Sequence, residues 1–95
     1  MTPLMNSTVI SSFNQSNCLN QAVDVEINTQ GLNCPLPILK TKKALANMVS
    51  GQILRVTSTD SGAIRDFQVF AQQTGNILIG QYMNGIICIH ILQRK

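Results

Sequence analysis

A two-residue turn near the end of the chain constrains the fold more than any other feature. Asn84 and Gly85 lie between two apolar segments, NILIGQYM and IICIHILQ. Asn-Gly is the pair most typical of a tight β-hairpin, because both residues tolerate the left-handed backbone conformation that such a turn requires. The sequence therefore predicts an antiparallel hairpin in which Met83 pairs with Ile86.

This pairing also predicts which residues share each face of the hairpin, since side chains alternate along a strand. One face carries Leu78, Tyr82, Ile87, Ile89 and Ile91, and the other carries Ile77, Ile79, Gln81, Cys88, His90 and Leu92. The first set has almost no polar interruption, so we expect it to face the core. Cys88 and His90 are then expected on the opposite, less protected face.

Two strand–helix units precede the hairpin. Residues 23–28 (VDVEIN) alternate apolar and polar side chains, and residues 52–59 (QILRVTST) place Leu54 and Val56 on one face, as half-buried strands do. Residues 35–49, between these strands, show a helical period. The apolar stripe of this predicted helix consists of Ile38, Leu45 and Val49, with Leu39 and Ala46 beside it.

A second helix is predicted over residues 60–75. Asp60 or Ser61 is expected to cap its first N–H groups, and Gly75 is expected to end it. Its inner face consists of Ile64, Phe67, Phe70 and Ala71. The order β-α-β-α-β-β predicts an α+β fold, a two-layer α/β sandwich with two helices on one face of a four-stranded mixed sheet. Apolar residues on the open sheet face fit either a partner surface or ordinary scattered surface residues.

The length of 95 residues indicates one folded domain. Residues 1–21 are rich in Ser, Asn, Gln and Thr without a sustained period, so they are predicted to form a flexible N-terminal tail that includes Cys18. Residues 22–95 are predicted to be the folded domain. The first residues lack the pattern of a secretory signal, and no segment approaches the ~18 apolar residues of a membrane span. A cytoplasmic location is therefore expected.

Charge and cysteine content narrow the function classes. A net charge of +3 favours acidic partners but is too small to indicate nucleic acid. The predicted open face also lacks a pair of aromatic residues that could stack on bases, so direct nucleic-acid binding is not expected. The three cysteines are an odd number without CxxC spacing, which argues against a disulfide framework or a zinc site. No metal or organic cofactor is predicted.

The segment GLNCPLPILKTKKAL, residues 31–45, places Cys34 where a loop meets a helix. Pro35 and Pro37 suit the first helical turn, whose N–H groups have no partner within the helix. Gly31 lets the loop turn without a Cβ atom. The sulfur of Cys34 then lies near the positive end of the helix dipole, which favours the thiolate and is expected to lower its pKa.

A thiolate in this position can attack a persulfide, take its terminal sulfur and pass it on. The sequence offers no catalytic partner for it. His90 is predicted on the last strand, which argues against a Cys-His hydrolase, while Asp60 is expected to be a cap and Asp66 a surface charge. Four basic residues fit either docking to acidic partners or a solvated helix surface: Lys40, Lys42, Lys43 and Arg65.

The motif CPLP at Cys34–Pro37, preceded by Gly31-Leu32, resembles the CPxP motif of the TusA/SirA family of sulfur carriers. Residues 59–67 (TDSGAIRDF) are similar to the entry of that family's second helix, with Ser61 in place of a common proline. FAQQTGN and the hairpin ending in Arg94-Lys95 extend the resemblance over residues 23–95. Asn28 stands where many members carry an acidic residue.

This resemblance implies a β-α-β-α-β-β sandwich and a persulfide on Cys34. It also implies a sulfurtransferase that works by covalent relay. The donor would be a cysteine desulfurase or a rhodanese-like enzyme, and the acceptor a relay protein, for example in 2-thiouridine synthesis in tRNA. Other members serve molybdenum-cofactor assembly or oxidative sulfur metabolism.

The residues leave two other functions open. A non-catalytic regulatory module would bind a protein or RNA through the basic helix or the open sheet face. A thiol–disulfide redox protein would need a resolving cysteine, and only Cys18 of the tail could supply one, by folding back.

Overall fold

The computed structural model describes residues 22–95 of the chain. The predicted tail, residues 1–21 with Cys18, lies outside the described residues. The elements follow in the predicted order: β1 (Val25–Thr29), α1 (Leu36–Ala46), β2 (Ile53–Ser58), α2 (Ala63–Thr74), β3 (Ile77–Asn84) and β4 (Ile87–Gln93). Neither α1 nor α2, the two helices of this part of the chain, is long and apolar enough to cross a membrane.

The four strands form one mixed sheet in the spatial order β1-β2-β4-β3. β1 and β2 are parallel, and β4 is antiparallel to both of its neighbours. Both helices pack on the same face of this sheet, because their side chains share one buried cluster with side chains of β2 and β4. The predicted two-layer α/β sandwich is therefore confirmed.

The core lies between the helices and the sheet. Its buried members are Leu45, Met48, Leu54, Val56, Ala63, Phe67, Phe70 and Leu92. Leu54 and Val56, predicted to share the inner face of β2, are both fully buried. Val25 and Ile27 of β1 pack against the same cluster. Apolar alternation on these two strands thus identified the buried side of the sheet correctly.

The register of the hairpin differs from the prediction. Asn84 pairs with Ile87, and Met83 pairs with Cys88 rather than with Ile86. The turn is made by Gly85, with a positive φ of 64°, and Ile86. The Asn-Gly pair therefore marks the turn correctly but one residue too early, since Asn84 still belongs to β3.

The predicted assignment of hairpin faces was wrong for β4, although Leu78 of β3 faces the core as predicted. Cys88, His90 and Leu92 point toward the helices and are buried, while Ile87, Ile89 and Ile91 share the opposite face. An irregularity between Leu78 and Gly80 places Leu78 on the same face as Leu92, where it packs against the core. A bulge of this kind adds one residue to a strand and so reverses the alternation beyond it.

Helix α1 is shorter and rotated relative to the prediction. It ends at Ala46, so Val49 lies outside it and is 66% exposed. Its buried residues are Pro37, Thr41 and Leu45, spaced by four. Thr41 can be buried because its hydroxyl donates to the backbone oxygen of Pro37, at 2.8 Å.

Helix α2 begins without a side-chain cap. Gly62 occupies the N-cap position, so the predicted caps Asp60 and Ser61 were wrong. Instead, the backbone oxygen of Asp60 accepts the N–H of Ala63, at 3.0 Å. The helix ends as predicted at Gly75, whose φ of 82° is left-handed. Phe67, Phe70 and Ala71 of the predicted inner face are buried, whereas Ile64 is half-buried.

Candidate functional site

Cys34 lies in the loop between β1 and α1, and its side chain is exposed. It directly precedes Pro35, the N-cap residue of α1. The loop starts with an Asx turn, in which the N–H of Gln30 donates to Oδ1 of Asn28 at 2.9 Å. Asn28, a departure from the resembled family, thus holds the start of this loop.

Gly31 connects the loop to the segment that follows β2. Its φ of 81° is left-handed, a conformation that glycine adopts without steric cost. Its N–H donates to Oγ1 of Thr59, just beyond β2, at 2.9 Å. The loop that carries Cys34 is therefore bound to the segment that leads into α2.

The two prolines of the motif have different environments. Pro37 lies in the first turn of α1 and is buried, whereas Pro35 is exposed beside Cys34. Leu36, between them, is 47% exposed, so an apolar side chain flanks the thiol at the surface. The buried Pro37 anchors the start of the helix, while Cys34, Pro35 and Leu36 remain accessible to a partner.

The electrostatics at Cys34 differ from the prediction. The pKa of its thiol is raised, not lowered, and the largest cause is a side-chain hydrogen bond with Asp66. The negative charges of Asp66 and Asp60 add to this effect. A hydrogen bond from the neutral thiol to a carboxylate stabilises the thiol, and nearby negative charge destabilises the thiolate. The pKa of Cys34 therefore differs in direction from the one that the helix dipole alone predicts.

Both carboxylates come from the start of α2. A Cβ atom built on Gly62 would lie 3.5 Å from Oδ2 of Asp60 and 3.9 Å from Oδ2 of Asp66, so the two side chains flank this glycine. Oδ2 of Asp60 is buried and has no hydrogen-bond partner among residues 22–95. The sequence pattern did not predict either residue as a neighbour of Cys34. The parallel pairing of β1 and β2 could have indicated them, because it places the starts of both following helices at one end of the sheet.

Cys34 opens into a cavity of ≈ 270 Å³ between the two helices. Ile38 of α1 and Val69 and Phe70 of α2 contribute apolar walls, and Arg65 and Asp66 contribute opposite charges. Of the four basic residues singled out by sequence, only Arg65 lines this cavity. Lys40 and Lys43 line another cavity, of ≈ 260 Å³, beside Ile27 of β1.

His90 and Cys88 do not belong to this site. Cys88 is buried, and the His90 ring is fully buried and stacked on Phe67 at a centroid distance of 4.1 Å. Nδ1 and Nε2 of His90 contact Gln81 and Ser58 at 3.0 and 2.9 Å. Burial lowers the pKa of His90 to about 4, so the ring is neutral. Within residues 22–95, no three His, Cys, Asp or Glu side chains are grouped to hold a metal ion.

Comparisons with known proteins agree with this geometry. The family model described as "Sulfurtransferase TusA" matches residues 25–92. The sulfur carrier protein TusA of Allochromatium vinosum is 57% identical over 56 residues, which cover 59% of this chain and 74% of that protein. A candidate sulfur carrier protein of Neisseria meningitidis serogroup A is 53% identical over 69 residues, covering 73% of this chain and 93% of that protein.

A solved structure supports the fold independently. The crystal structure of a SirA-like protein from Desulfitobacterium hafniense matches with a TM-score of 0.65 and 21% identity. The match covers 73% of this chain and 95% of that one. The family match, the sequence relatives and the shared β-α-β-α-β-β architecture lead to one conclusion: this chain belongs to the TusA/SirA family of sulfur carrier proteins.

Proposed function

We propose that Cys34 is the residue that carries sulfur, as a persulfide, between a donor and an acceptor protein. The observation that carries this proposal is the exposed thiol at the start of α1, which lines an open cavity. The loop that holds this thiol is hydrogen-bonded to Thr59 through Gly31. Cys88, the other thiol in the described part of the chain, is buried and inaccessible to a partner. We further propose a cytoplasmic location.

The loading step moves one sulfur atom. The Cys34 thiolate attacks the terminal sulfur of a donor persulfide, R–S–SH, and a new S–S bond forms as the donor S–S bond breaks. The donor thiolate leaves with the bonding electron pair, and Cys34 becomes Cys34–S–SH. Asp66 lines the same cavity as the Cys34 thiol and is placed to accept its proton. An acceptor thiolate then takes the terminal sulfur by the same exchange.

The donor class that fits this step is a cysteine desulfurase or a rhodanese-like enzyme, and the acceptor is a relay protein such as those of tRNA 2-thiouridine synthesis. Arg65 lines the Cys34 cavity and is proposed to contact the partner there. Lys40 and Lys43, on the other side of α1, are proposed as a second contact with an acidic partner surface. Gly31, Pro35 and Pro37 hold the loop in position.

Intact-protein mass spectrometry without reductant tests the proposal. Wild type, Cys34→Ser and the matched control Cys18→Ser are each incubated with a cysteine desulfurase and cysteine. We expect a reductant-sensitive gain of one sulfur atom in wild type and Cys18→Ser, and none in Cys34→Ser. If wild type gains no sulfur, and thiosulfate with a rhodanese also fails to load it, Cys34 is not a persulfide carrier and a non-catalytic binding function takes its place.

A further inference from the structure

A third cavity lies between the two helices, at the end away from Cys34. Its volume is ≈ 330 Å³, and three basic side chains line it: Lys42, Arg94 and Lys95. Phe70 and Gln73 line both this cavity and the one that contains Cys34. The two cavities are thus two ends of one depression, which we call the interhelical groove.

The spacing of residues on α1 supports this continuity. Cys34, Ile38 and Lys42 are separated by four residues each, so they follow one side of the helix and its preceding turn. On α2, Asp66, Phe70 and Gln73 follow one side in the same direction. Both helices therefore run from the Cys34 end of the groove to its basic end.

The groove has opposite charges at its two ends. Asp66 and Asp60 act on Cys34 at one end, whereas none of the four acidic residues of the chain lines the basic end. Arg55 pairs with Glu26 on the sheet. Within residues 22–95, no Asp or Glu side chain forms a salt bridge with Lys42, Arg94 or Lys95, and Nη1 of Arg94 donates to the oxygen of Lys95, at 3.4 Å.

The basic residues also have a structural role, but it does not account for all of them. Nε of Arg94 donates to the backbone oxygen of Leu45, at 3.1 Å, which satisfies a carbonyl in the last turn of α1. Lys42 and Lys95 are exposed, and neither side chain is needed for that contact. Their charges remain available to a ligand.

We propose that the interhelical groove binds an extended, acidic segment of a sulfur-relay partner. The partner's cysteine meets Cys34, and its Asp or Glu side chains pair with Lys42, Arg94 and Lys95. This inference rests on the proposed function, because it assigns a partner to the same thiol. The apolar walls formed by Ile38, Val69 and Phe70 accommodate the chain between these two points.

The length of the groove sets the spacing in the partner. Eight residues separate Cys34 from Lys42, which corresponds to about 12 Å along a helix. An extended polypeptide covers that distance in about four residues. The fitting segment therefore carries its carboxylates about four residues from its cysteine, and carboxylates next to the cysteine would instead face Asp66.

Disulfide-exchange kinetics with short peptides test the proposal. Each peptide carries a cysteine as a neutral 2-thiopyridyl disulfide, and the Cys34 thiolate displaces thiopyridone to form a mixed disulfide. One pair of peptides has two Asp residues starting about four residues from the cysteine, on either side of it. The controls replace both Asp by Asn or place them beside the cysteine. All proteins carry Cys18→Ser, and added Cys34→Ser gives the background rate.

In the protein with an unchanged groove, we expect Cys34 to react with at least one distal-Asp peptide roughly fivefold faster than with its Asn control. This is the advantage expected of a partly exposed ion pair. High salt should remove this advantage. Lys42→Gln or Lys95→Gln should also reduce it. Gln72→Glu changes the net charge by the same amount at an exposed position outside both cavities, and it should leave the advantage intact.

Equal rates for Asp and Asn peptides would overturn the proposal. So would an equal loss in Lys42→Gln and Gln72→Glu, which would mean that net charge alone attracts the peptide. A faster reaction of the peptide with adjacent carboxylates would contradict the assigned spacing. None of these results depends on persulfide loading, which mass spectrometry measures separately, so the two proposals can fail independently.

Discussion

The Cys34 thiol is subject to two opposed influences, the N-terminal end of α1 and the carboxylates at the start of α2. The first favours the thiolate and the second favours the thiol. In the folded protein the pKa of Cys34 is raised, with Asp66 as the main cause. The resting protein thus holds a protonated, weakly nucleophilic thiol, which limits its reaction with unspecific electrophiles.

Removing the charge of Asp66 should reverse this balance. Asp66→Asn loses the main cause of the raised pKa, so we expect Cys34 to be alkylated several-fold faster near neutral pH, with its pH midpoint moved to lower pH. The rate of iodoacetamide labelling against pH measures this in a Cys18→Ser background. Asp60→Asn should have a smaller effect, because Asp60 contributes least to the shift. An unchanged or higher midpoint in Asp66→Asn would refute this assignment.

His90 is a neutral histidine in the core. The Gln81 amide nitrogen, 3.0 Å from Nδ1, makes Nδ1 the acceptor. The ring proton is therefore on Nε2, which donates to Oγ of Ser58 at 2.9 Å. Both nitrogens are satisfied in the neutral form, and protonation would place two donors, Nδ1–H and the Gln81 N–H, against each other.

This arrangement predicts loss of stability in mild acid. The pKa of His90 is about 4 in the folded protein, below its ordinary value of 6.5, so the unfolded chain binds the proton more readily. Neutral His90 contributes about 3 kcal/mol to the free energy of unfolding. This contribution is complete above about pH 6.5 and is lost as the pH falls toward 4. Urea unfolding at several pH values measures it. His90→Gln should flatten the slope between pH 6.5 and 5, and an equally steep slope in that variant would disprove the role of His90.

At the scale of the elements, residue patterns predicted the presence and order of every strand and helix but not all of their orientations. Leu54 and Val56 were assigned correctly because a strand with one apolar face has only one way to bury it. β4 has apolar residues on both faces, so alternation alone could not decide between them. The choice depends on Ser58 and Gln81, which make His90 acceptable in the core.

The register of β3 could not be predicted for a different reason. The bulge near Ile79 reverses the alternation within one strand, and no residue there indicates it unambiguously. Gly80 is the only local sign, since glycine inside a strand often accompanies a bulge or the close approach of another group. Here both apply: a Cβ atom on Gly80 would lie 2.7 Å from the Tyr82 hydroxyl and 3.1 Å from its ring.

Gly80→Ala should therefore destabilise the protein, although alanine usually suits a strand interior better than glycine. We expect a loss of about 1–3 kcal/mol, because the Tyr82 ring must move away from the new methyl group. Urea unfolding of Gly80→Ala, Tyr82→Ala and the double variant measures the coupling. The Gly80→Ala substitution should cost much less when Tyr82 has already been replaced by alanine. If both backgrounds lose the same amount, the ring is not the cause.

At the scale of the whole molecule, the site is assembled from both strand–helix units. The local sequence predicted Cys34 as the reactive residue, because the residue lies where a loop meets the start of a helix. It could not identify Asp66 as a neighbour, because that contact joins residues 32 positions apart and depends on the parallel pairing of β1 with β2. For the same reason the basic end of the groove, built from Lys42, Arg94 and Lys95, was missed.

This dependence on packing predicts that the domain unfolds as one unit. Cys88 is buried in β4, between Ser58 of β2 and Met83 of β3, so its thiol reports on the centre of the sheet. In a Cys18→Ser, Cys34→Ser background, we expect alkylation of Cys88 and loss of circular dichroism to share one urea midpoint, as in two-state unfolding. Phe67→Ala should reduce the free energy of unfolding by about 3–5 kcal/mol, since Phe67 is fully buried against the His90 ring. Both urea midpoints should therefore fall by the same amount. Alkylation of Cys88 well below the dichroism midpoint would show instead that the β3–β4 hairpin opens while the helices still hold the rest of the sheet.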